Sequence, residues 1–130
     1  MKPGVTNSGL IAIVDDDQPF RDALASVLKA AGFGVTTYGS AEEYLNSFGW
    51  QATACLILDV RLPGMSGVEL QRHTIEAGSS VPIIFVTGHG DDSLRHLLMK
   101  AGAKSFLSKP VRSDKLIAEI AAAIDKGAEG

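Results

Sequence analysis

Residues that can bind a metal ion or a phosphate group follow four of the five short apolar runs in this sequence. The first run, Leu10 to Val14, is followed directly by three consecutive aspartates. Another aspartate follows the third run, a threonine follows the fourth, and a lysine comes soon after the fifth: Asp15, Asp16, Asp17, Asp59, Thr87 and Lys109. If the runs are parallel strands, their carboxyl ends meet at one edge of a sheet. The spacing therefore predicts one site built from distant segments.

Several carboxylates at one edge of a sheet repel one another unless a cation lies between them. The repulsion is ~4 kcal/mol per pair at about 4 Å with an effective dielectric constant near ~20. Mg²⁺ prefers oxygen ligands and commonly takes carboxylates together with waters and a phosphate oxygen. The Lys109 ammonium and the Thr87 hydroxyl can contact further phosphoryl oxygens. These groups indicate phosphoryl transfer by positioning and charge, with Asp59 as the nucleophile.

Alternation of short apolar runs with amphipathic stretches predicts the fold that would bring these residues together. Five runs of strand character recur, and apolar residues at helical spacing lie between them: the runs are 10–14, 35–38, 55–58, 83–86 and 105–107. A helix between consecutive strands implies right-handed crossovers and a parallel sheet covered on both faces. The predicted fold class is therefore α/β, a doubly wound five-stranded parallel sheet with five helices. The second run alternates polar and apolar residues, which favours an edge strand.

Capping residues and glycines mark the expected helix boundaries. Two S-x-x-E capping boxes and four glycines fall at the ends of the periodic segments: Ser40 with Glu43, Ser66 with Glu69, and Gly32, Gly49, Gly78 and Gly102. Asp17 fits a helix N-cap better than a metal ligand. The third helix shows the apolar spacing less cleanly than the others, and we expect Trp50 to be a partly exposed aromatic after the second helix.

Composition favours one globular domain over residues 1–130 and excludes several classes of function. The 130 residues carry a net charge of −3 with scattered basic residues, so direct binding of nucleic acid is not expected. No apolar run is long enough to span a membrane, and Met1 to Gly9 lacks a signal-peptide core. Cys55 is the only cysteine and lies in an apolar run, which indicates a buried side chain. We therefore expect a cytoplasmic protein.

Four motifs make the chain resemble the receiver domains of two-component response regulators, and the resemblance runs from about residue 10 to residue 124. The second and third motifs look most like the FixJ branch of that family. The motifs are IVDDD at 13–17, LDVRLPGMSG at 58–67, VTGHGD at 86–91 and KSFLSKP at 104–110. The resemblance implies a CheY-like, flavodoxin-like sheet with strand order 2-1-3-4-5. It also implies a signalling domain that catalyses only its own phosphotransfer and dephosphorylation, rather than an enzyme.

The resemblance assigns the acidic residues to phosphorylation and metal binding. It implies that Asp59 is the phosphoacceptor, and that Asp16, Asp59 and the backbone carbonyl of Arg61 bind Mg²⁺. Asp15 would help to hold the ion through water. The expected cofactor is therefore Mg²⁺, and the expected phosphoryl donor is a sensor histidine kinase or a phosphotransfer protein.

The resemblance also implies a conformational switch. Thr87 and Phe106 would form the switch pair, with the Thr87 hydroxyl turning towards the phosphoryl group while the ring of Phe106 moves inward. Phe106 stands where many members have tyrosine, so it offers a partner no hydroxyl. The bond from Lys109 to Pro110 would be cis. The switch would change the face built by the fourth helix, fifth strand and fifth helix.

Two other functions share part of this pattern. A small aspartyl-phosphate phosphatase would use the same nucleophile, but such enzymes generally have an aspartate two residues later, where this chain has Arg61. A flavodoxin-like cofactor module would share the architecture alone. Within the receiver interpretation the sequence leaves the output open. The chain either acts alone or is the isolated receiver of a DNA-binding regulator, and phosphorylation either produces a homodimer or does not.

Overall fold

The protein consists of a five-stranded sheet with helices on both faces. The computed structural model describes residues 9–129. The strands are β1 (Leu10–Val14), β2 (Gly34–Tyr38), β3 (Cys55–Leu58), β4 (Ile83–Thr87) and β5 (Ser105–Ser108). The helices are α1 (Gln18–Ala30), α2 (Ala41–Leu45), α3 (Gly67–Glu76), α4 (Asp92–Lys100) and α5 (Ser113–Glu129). Within residues 9–129, no helix combines the length and the apolar character needed to cross a membrane.

The sheet is entirely parallel, and its strand order is β2-β1-β3-β4-β5. This confirms the predicted fold class and strand order. The second strand lies at an edge, as its alternating residues predict. The strand order reverses between β1 and β3, because β2 lies on one side of β1 and β3, β4 and β5 lie on the other. β1 and β3 pair from Ile11 with Cys55 to Val14 with Leu58. The carboxyl ends of these two strands therefore border the crevice where doubly wound folds bind ligands.

Each face of the sheet packs against its own helices. On one face, strand residues pack with α2, α3 and α4: the cluster includes Val14, Leu58, Phe85, Tyr44, Leu70 and Leu98. On the other face they pack with α1 and α5: the cluster includes Ile13, Ile57, Val86, Leu24, Leu28, Leu116 and Ile120. Because both faces are covered, the three central strands are continuously apolar, apart from Thr87 at the end of β4, rather than apolar at every second residue.

Helix N-caps lie where the sequence predicts them. The Asp17 carboxylate accepts a hydrogen bond from the Phe20 N–H at 3.2 Å and caps α1. Ser66 and Glu69 form both halves of a capping box on α3. At α2 only half of the box forms: the Ser40 hydroxyl accepts from the Glu43 N–H, whereas the Glu43 carboxylate accepts from a neighbouring glycine N–H. Local sequence therefore determines where these helices begin.

The end of α2 differs from the prediction made from its apolar spacing and the following glycine. The helix ends at Leu45, and Phe48, which continues the spacing, is fully exposed. Gly49 has a φ of 78° and precedes a short 3₁₀ turn at Trp50–Ala52 rather than ending the helix. The expectation that Trp50 is partly exposed is wrong, because this turn brings its ring into the core at 5.8 Å from the Tyr44 ring centroid.

Buried polar side chains account for the weak apolar pattern of α3. Gln71 and Thr74 are 3% and 2% exposed. The Gln71 side-chain amide donates to the Leu98 carbonyl oxygen at 3.1 Å, near the end of α4. The Thr74 hydroxyl donates to the Gln71 carbonyl oxygen at 2.8 Å. Because the Gln71 amide nitrogen and the Thr74 hydroxyl each donate to a partner, α3 buries these positions without the cost of an unsatisfied donor.

Candidate functional site

Three of the predicted site residues continue the hydrogen-bonded sheet just beyond the ends of their strands. Asp15 follows β1, Asp59 follows β3 and Lys109 follows β5. Their backbone N–H groups each donate to the neighbouring strand, at 3.1, 3.1 and 3.0 Å, and the acceptors are the carbonyl oxygens of Tyr38, Val14 and Thr87 respectively. The sheet therefore holds the backbone of these residues in place, although all three follow the strands in sequence.

The Lys109 ammonium bridges two buried carboxylates. Its Nζ atom lies 2.8 Å from Asp15 Oδ2 and 3.2 Å from Asp59 Oδ2. Asp15 is 2% exposed and Asp59 is 5% exposed, whereas the lysine side chain is 21% exposed. The peptide bond from Lys109 to Pro110 is cis, as the family resemblance implies. The structure thus brings together three residues that the strand-end pattern assigns to one site.

Burial, hydrogen bonds and neighbouring charges all shift the pKa values of Asp15 and Lys109. Burial raises the pKa of Asp15, and the neighbouring Asp59 raises it further, which together outweigh the hydrogen bonds that lower it. For Lys109, burial lowers the pKa, but the hydrogen bonds and charges of the two aspartates raise it more strongly, so that its pKa lies above the ordinary value. The ammonium therefore remains charged between the carboxylates.

Asp16 completes an acidic cluster with Asp15 and Asp59. One carboxylate oxygen from each residue lies within 4.8 Å of the others. Asp16 is exposed, whereas the other two aspartates are buried, so the cluster opens to solvent on one side. All three donors are oxygens, and an open side leaves room for water and phosphate ligands. This donor set fits a hard divalent cation such as Mg²⁺.

Arg61 lies beside this cluster. Its backbone N–H is 3.4 Å from Asp59 Oδ1, and its side chain is exposed. The turn that follows β3 therefore keeps the Arg61 backbone close to the acidic cluster. Asp17 lies outside the cluster and caps α1, as the sequence predicts.

Thr87, at the end of β4, and Phe106, in β5, both lie near the loop that joins β4 to α4. Thr87 is 1% exposed, and its hydroxyl oxygen accepts a hydrogen bond from the His89 N–H at 3.2 Å. The half-buried Phe106 ring packs against Phe85, with 6.3 Å between the ring centroids. A side chain at Gly90 would meet both the Phe106 ring and the Thr87 methyl group. Both side chains therefore lie close to Gly90.

We predict that Gly90→Ala displaces the Phe106 ring. The added methyl group would overlap two ring carbons and would lie 3.3 Å from the Thr87 methyl group, so the ring has to rotate away. The NMR shifts of the Phe106 ring protons should change, while Gly88→Ala, which has open space around its new methyl group, should leave them in place. Unchanged Phe106 shifts in Gly90→Ala would contradict this prediction.

Three residues around the site were not singled out as functional by the sequence. The Phe20 ring lies against the Lys109 ammonium, with 4.3 Å from Nζ to the ring centroid. The Arg21 guanidinium donates to the Asp15 carbonyl oxygen at 2.8 Å. The Glu42 carboxylate accepts from a backbone N–H of the loop after β3 at 2.8 Å. Their only signal in the sequence is a position near the beginning of α1 or α2, which the strand-end pattern does not use.

Comparisons with known proteins show which family this chain resembles. The family model described as the response regulator receiver domain matches residues 11–121. The response regulator protein TodT of Pseudomonas putida is 43% identical over 117 residues, which cover 90% of this chain and 52% of that protein. The transcriptional regulatory protein FixJ of Bradyrhizobium diazoefficiens is 42% identical over 120 residues, covering 92% of this chain and 58% of FixJ. The chain thus spans about half the length of these curated relatives.

A solved structure shares the fold along nearly the whole chain. The crystal structure of a response regulator receiver domain protein from Clostridium thermocellum superposes with a TM-score of 0.86 and 29% sequence identity. The match covers 93% of this chain and 98% of that protein. On the family match, the relatives and the arrangement of its strands, this chain belongs to the receiver-domain family of two-component response regulators and has FixJ among its relatives.

Proposed function

We propose that this chain is the phosphoacceptor switch of a two-component system, and that a sensor histidine kinase or a phosphotransfer protein donates the phosphoryl group to Asp59. The observation that supports this most directly is the Lys109 ammonium within hydrogen-bonding distance of both Asp15 and Asp59. A buried carboxylate beside a fixed positive charge can act as a nucleophile towards phosphorus, and the same charge then meets the oxygens of the incoming group.

The reaction needs one bond to form and one to break. A carboxylate oxygen of Asp59 attacks the phosphorus of the donor, the bond from phosphorus to the donor nitrogen or oxygen breaks, and an acyl phosphate remains on Asp59. Lys109 contacts the negative phosphoryl oxygens, and Thr87 donates its hydroxyl proton as a hydrogen bond to one of them. The chain contributes position and charge, the means by which most phosphoryl transfers are accelerated.

In this proposal Asp16, Asp59 and the backbone carbonyl oxygen of Arg61 would hold Mg²⁺, and Asp15 would contribute through water. The oxygen-only cluster and the nearby Arg61 backbone support that assignment. When bound, Mg²⁺ supplies positive charge to the phosphoryl oxygens and offsets the repulsion between the carboxylates. Asp15 keeps its hydrogen bond to Lys109 and so retains the ammonium at the site.

Phosphorylation would act by shifting the population of two conformations. The Thr87 hydroxyl exchanges the His89 N–H for a phosphoryl oxygen, and the ring of Phe106 moves inward into the space that Thr87 leaves. The face formed by α4, β5 and α5 then presents a different surface to a partner. The shared space beside Gly90 supports this coupling, because a methyl group added at that residue would meet both the Phe106 ring and the Thr87 methyl group.

The output of the switch belongs to the same proposal. Because the chain spans about half of its curated relatives, two outputs fit: it acts alone, or it is the receiver of a longer DNA-binding regulator. A phosphorylated second copy of the chain is a further candidate partner, as a homodimer through the face of α4, β5 and α5. Size-exclusion chromatography of the phosphorylated and unmodified forms measures directly whether phosphorylation produces this homodimer.

The proposed function can be tested with a small phosphodonor. Incubation with acetyl phosphate and Mg²⁺ should add the mass of one phosphoryl group to the intact protein. Hydroxylamine should remove it, because acyl phosphates are cleaved by that nucleophile. The same incubation with a chelator in place of Mg²⁺ should leave the mass unchanged. No gain of mass with Mg²⁺ would contradict the proposed phosphoacceptor, and an equal gain with the chelator would contradict the proposed cofactor.

A further inference from the structure

Phe20 lies at the beginning of α1, on the side of the helix that faces the acidic cluster. It is the third residue of the helix, and its N–H is bound by the Asp17 side chain. The half-buried ring packs against the cluster of apolar residues between the sheet, α1 and α5. Capping and packing therefore fix the position of the ring independently of Lys109.

The ring gives the Lys109 ammonium a third neighbour. Its Nζ atom donates to Asp15 and Asp59, and lies 4.3 Å from the centroid of the Phe20 ring. The face of an aromatic ring carries partial negative charge and attracts a cation at this distance, more strongly where water is excluded. Two carboxylates and one ring thus surround the ammonium.

A lysine needs such support because its side chain is long and flexible. Four rotatable bonds separate Nζ from the backbone, so holding the ammonium between the two carboxylates costs side-chain conformational entropy. A fixed ring lowers the free energy of the bridging position relative to the solvated ones. An aliphatic side chain of similar size fills the same space but lacks the negative face.

We propose that Phe20 is a positioning residue for Lys109, which it retains at the place where the phosphoryl group is transferred to Asp59. This inference rests on the proposed phosphorylation of Asp59. In the sequence Phe20 appears only as one member of the apolar stripe of α1. Its contribution to the site follows from the distance between its ring and the ammonium.

Substitution of the ring separates charge attraction from packing. Phe20→Leu should lower the maximal rate of phosphorylation by acetyl phosphate, at saturating Mg²⁺, by roughly 2- to 30-fold. Phe20→Tyr retains an aromatic face and should restore a rate near that of the unsubstituted protein. The matched control is Phe33→Leu, because Phe33 is also half-buried against the same apolar cluster but has no contact with Lys109. This control should lose a similar amount of stability and keep its rate.

Two further measurements test the inference, and the first of them does not need the Phe20→Leu variant. Ring-fluorinated phenylalanine at position 20 keeps the shape of the ring while weakening its negative face, so the rate should fall as fluorines are added. In protein labelled with ¹³C at the lysine ε carbon, the Lys109 signal should be shifted by the ring current of Phe20. Phe20→Leu should abolish that shift, and Phe33→Leu should preserve it.

The outcomes distinguish this inference from the proposed function. If the unsubstituted protein takes up no phosphoryl group, the proposed function fails, while the Lys109 signal still reports on the contact with Phe20. If it is phosphorylated, and Phe20→Leu or the fluorinated series reacts at the same rate, the positioning role of Phe20 is overturned. A Phe20→Tyr rate as low as that of Phe20→Leu would overturn it as well.

Discussion

Asp59→Asn should take up no phosphoryl group from acetyl phosphate. The amide has nearly the shape of the carboxylate and fits the same 5% exposed position, but it is neutral and lacks a nucleophilic oxyanion. The loss of phosphorylation should be complete rather than partial. Lys109 and the remaining acidic residues stay in place, but the carboxylate oxygen that bonds to phosphorus is missing. The intact mass after incubation with acetyl phosphate and Mg²⁺ measures this directly.

Asp17→Asn is the matched control for that experiment. Asp17 belongs to the same run of aspartates, but it lies outside the acidic cluster and caps α1, a role that asparagine fills equally well. Its labelling and its unfolding should therefore match those of the unsubstituted protein. If Asp59→Asn were phosphorylated at the same rate as Asp17→Asn, Asp59 would not be the phosphoacceptor.

Gly67→Ala should strongly destabilise the fold and disrupt the site. Gly67 is the first residue of α3, and its N–H donates to the Val60 carbonyl oxygen at 2.8 Å. A methyl group here would overlap the Asp59 carbonyl oxygen and lie 3.0 Å from the Asp59 carbonyl carbon and from Val60 Cα. These are backbone atoms, so the chain that carries the phosphoacceptor must shift. We expect a loss of about 1–3 kcal/mol or more in the free energy of unfolding.

Urea unfolding of Gly67→Ala and Gly88→Ala provides the comparison. Gly88 also lies in a loop of the site, but a methyl group there has open space and the backbone is not in the left-handed region. Its substitution should change the free energy of unfolding by no more than ~0.5 kcal/mol. Gly67→Ala should also be phosphorylated more slowly, since Asp59 is displaced relative to Lys109. Equal stability of the two variants would refute the steric argument.

The fold and the centre of the site could be predicted because they depend on patterns that repeat along the chain. Buried strands are continuous apolar runs, and the residue after such a run lies at the edge of the sheet. The strand order is implied by the family resemblance, whereas these rules lead directly to the meeting of Asp15, Asp59 and Lys109. The predicted roles of these residues in phosphorylation and metal binding await the experiments above.

Features that depend on one particular three-dimensional contact could not be predicted in the same way. Trp50 is buried because a 3₁₀ turn returns it to Tyr44, and Gln71 is buried because the carbonyl of Leu98 satisfies it. Phe20 reads as an ordinary apolar helix residue until its distance to Lys109 is known. In each case the deciding partner lies elsewhere in the sequence, and local periodicity carries no information about it.

The bridge formed by Lys109 has a consequence for how the chain folds during its synthesis. The lysine is separated from Asp15 by 94 residues and from Asp59 by 50. During synthesis both aspartates leave the ribosome long before the ammonium that neutralises them. A nascent chain ending before β5 therefore gathers uncompensated negative charge at the tips of β1 and β3, which opposes early closure of the sheet. The last strand, β5, pairs with β4. The next residue, Lys109, supplies the positive charge that allows Asp15 and Asp59 to approach each other.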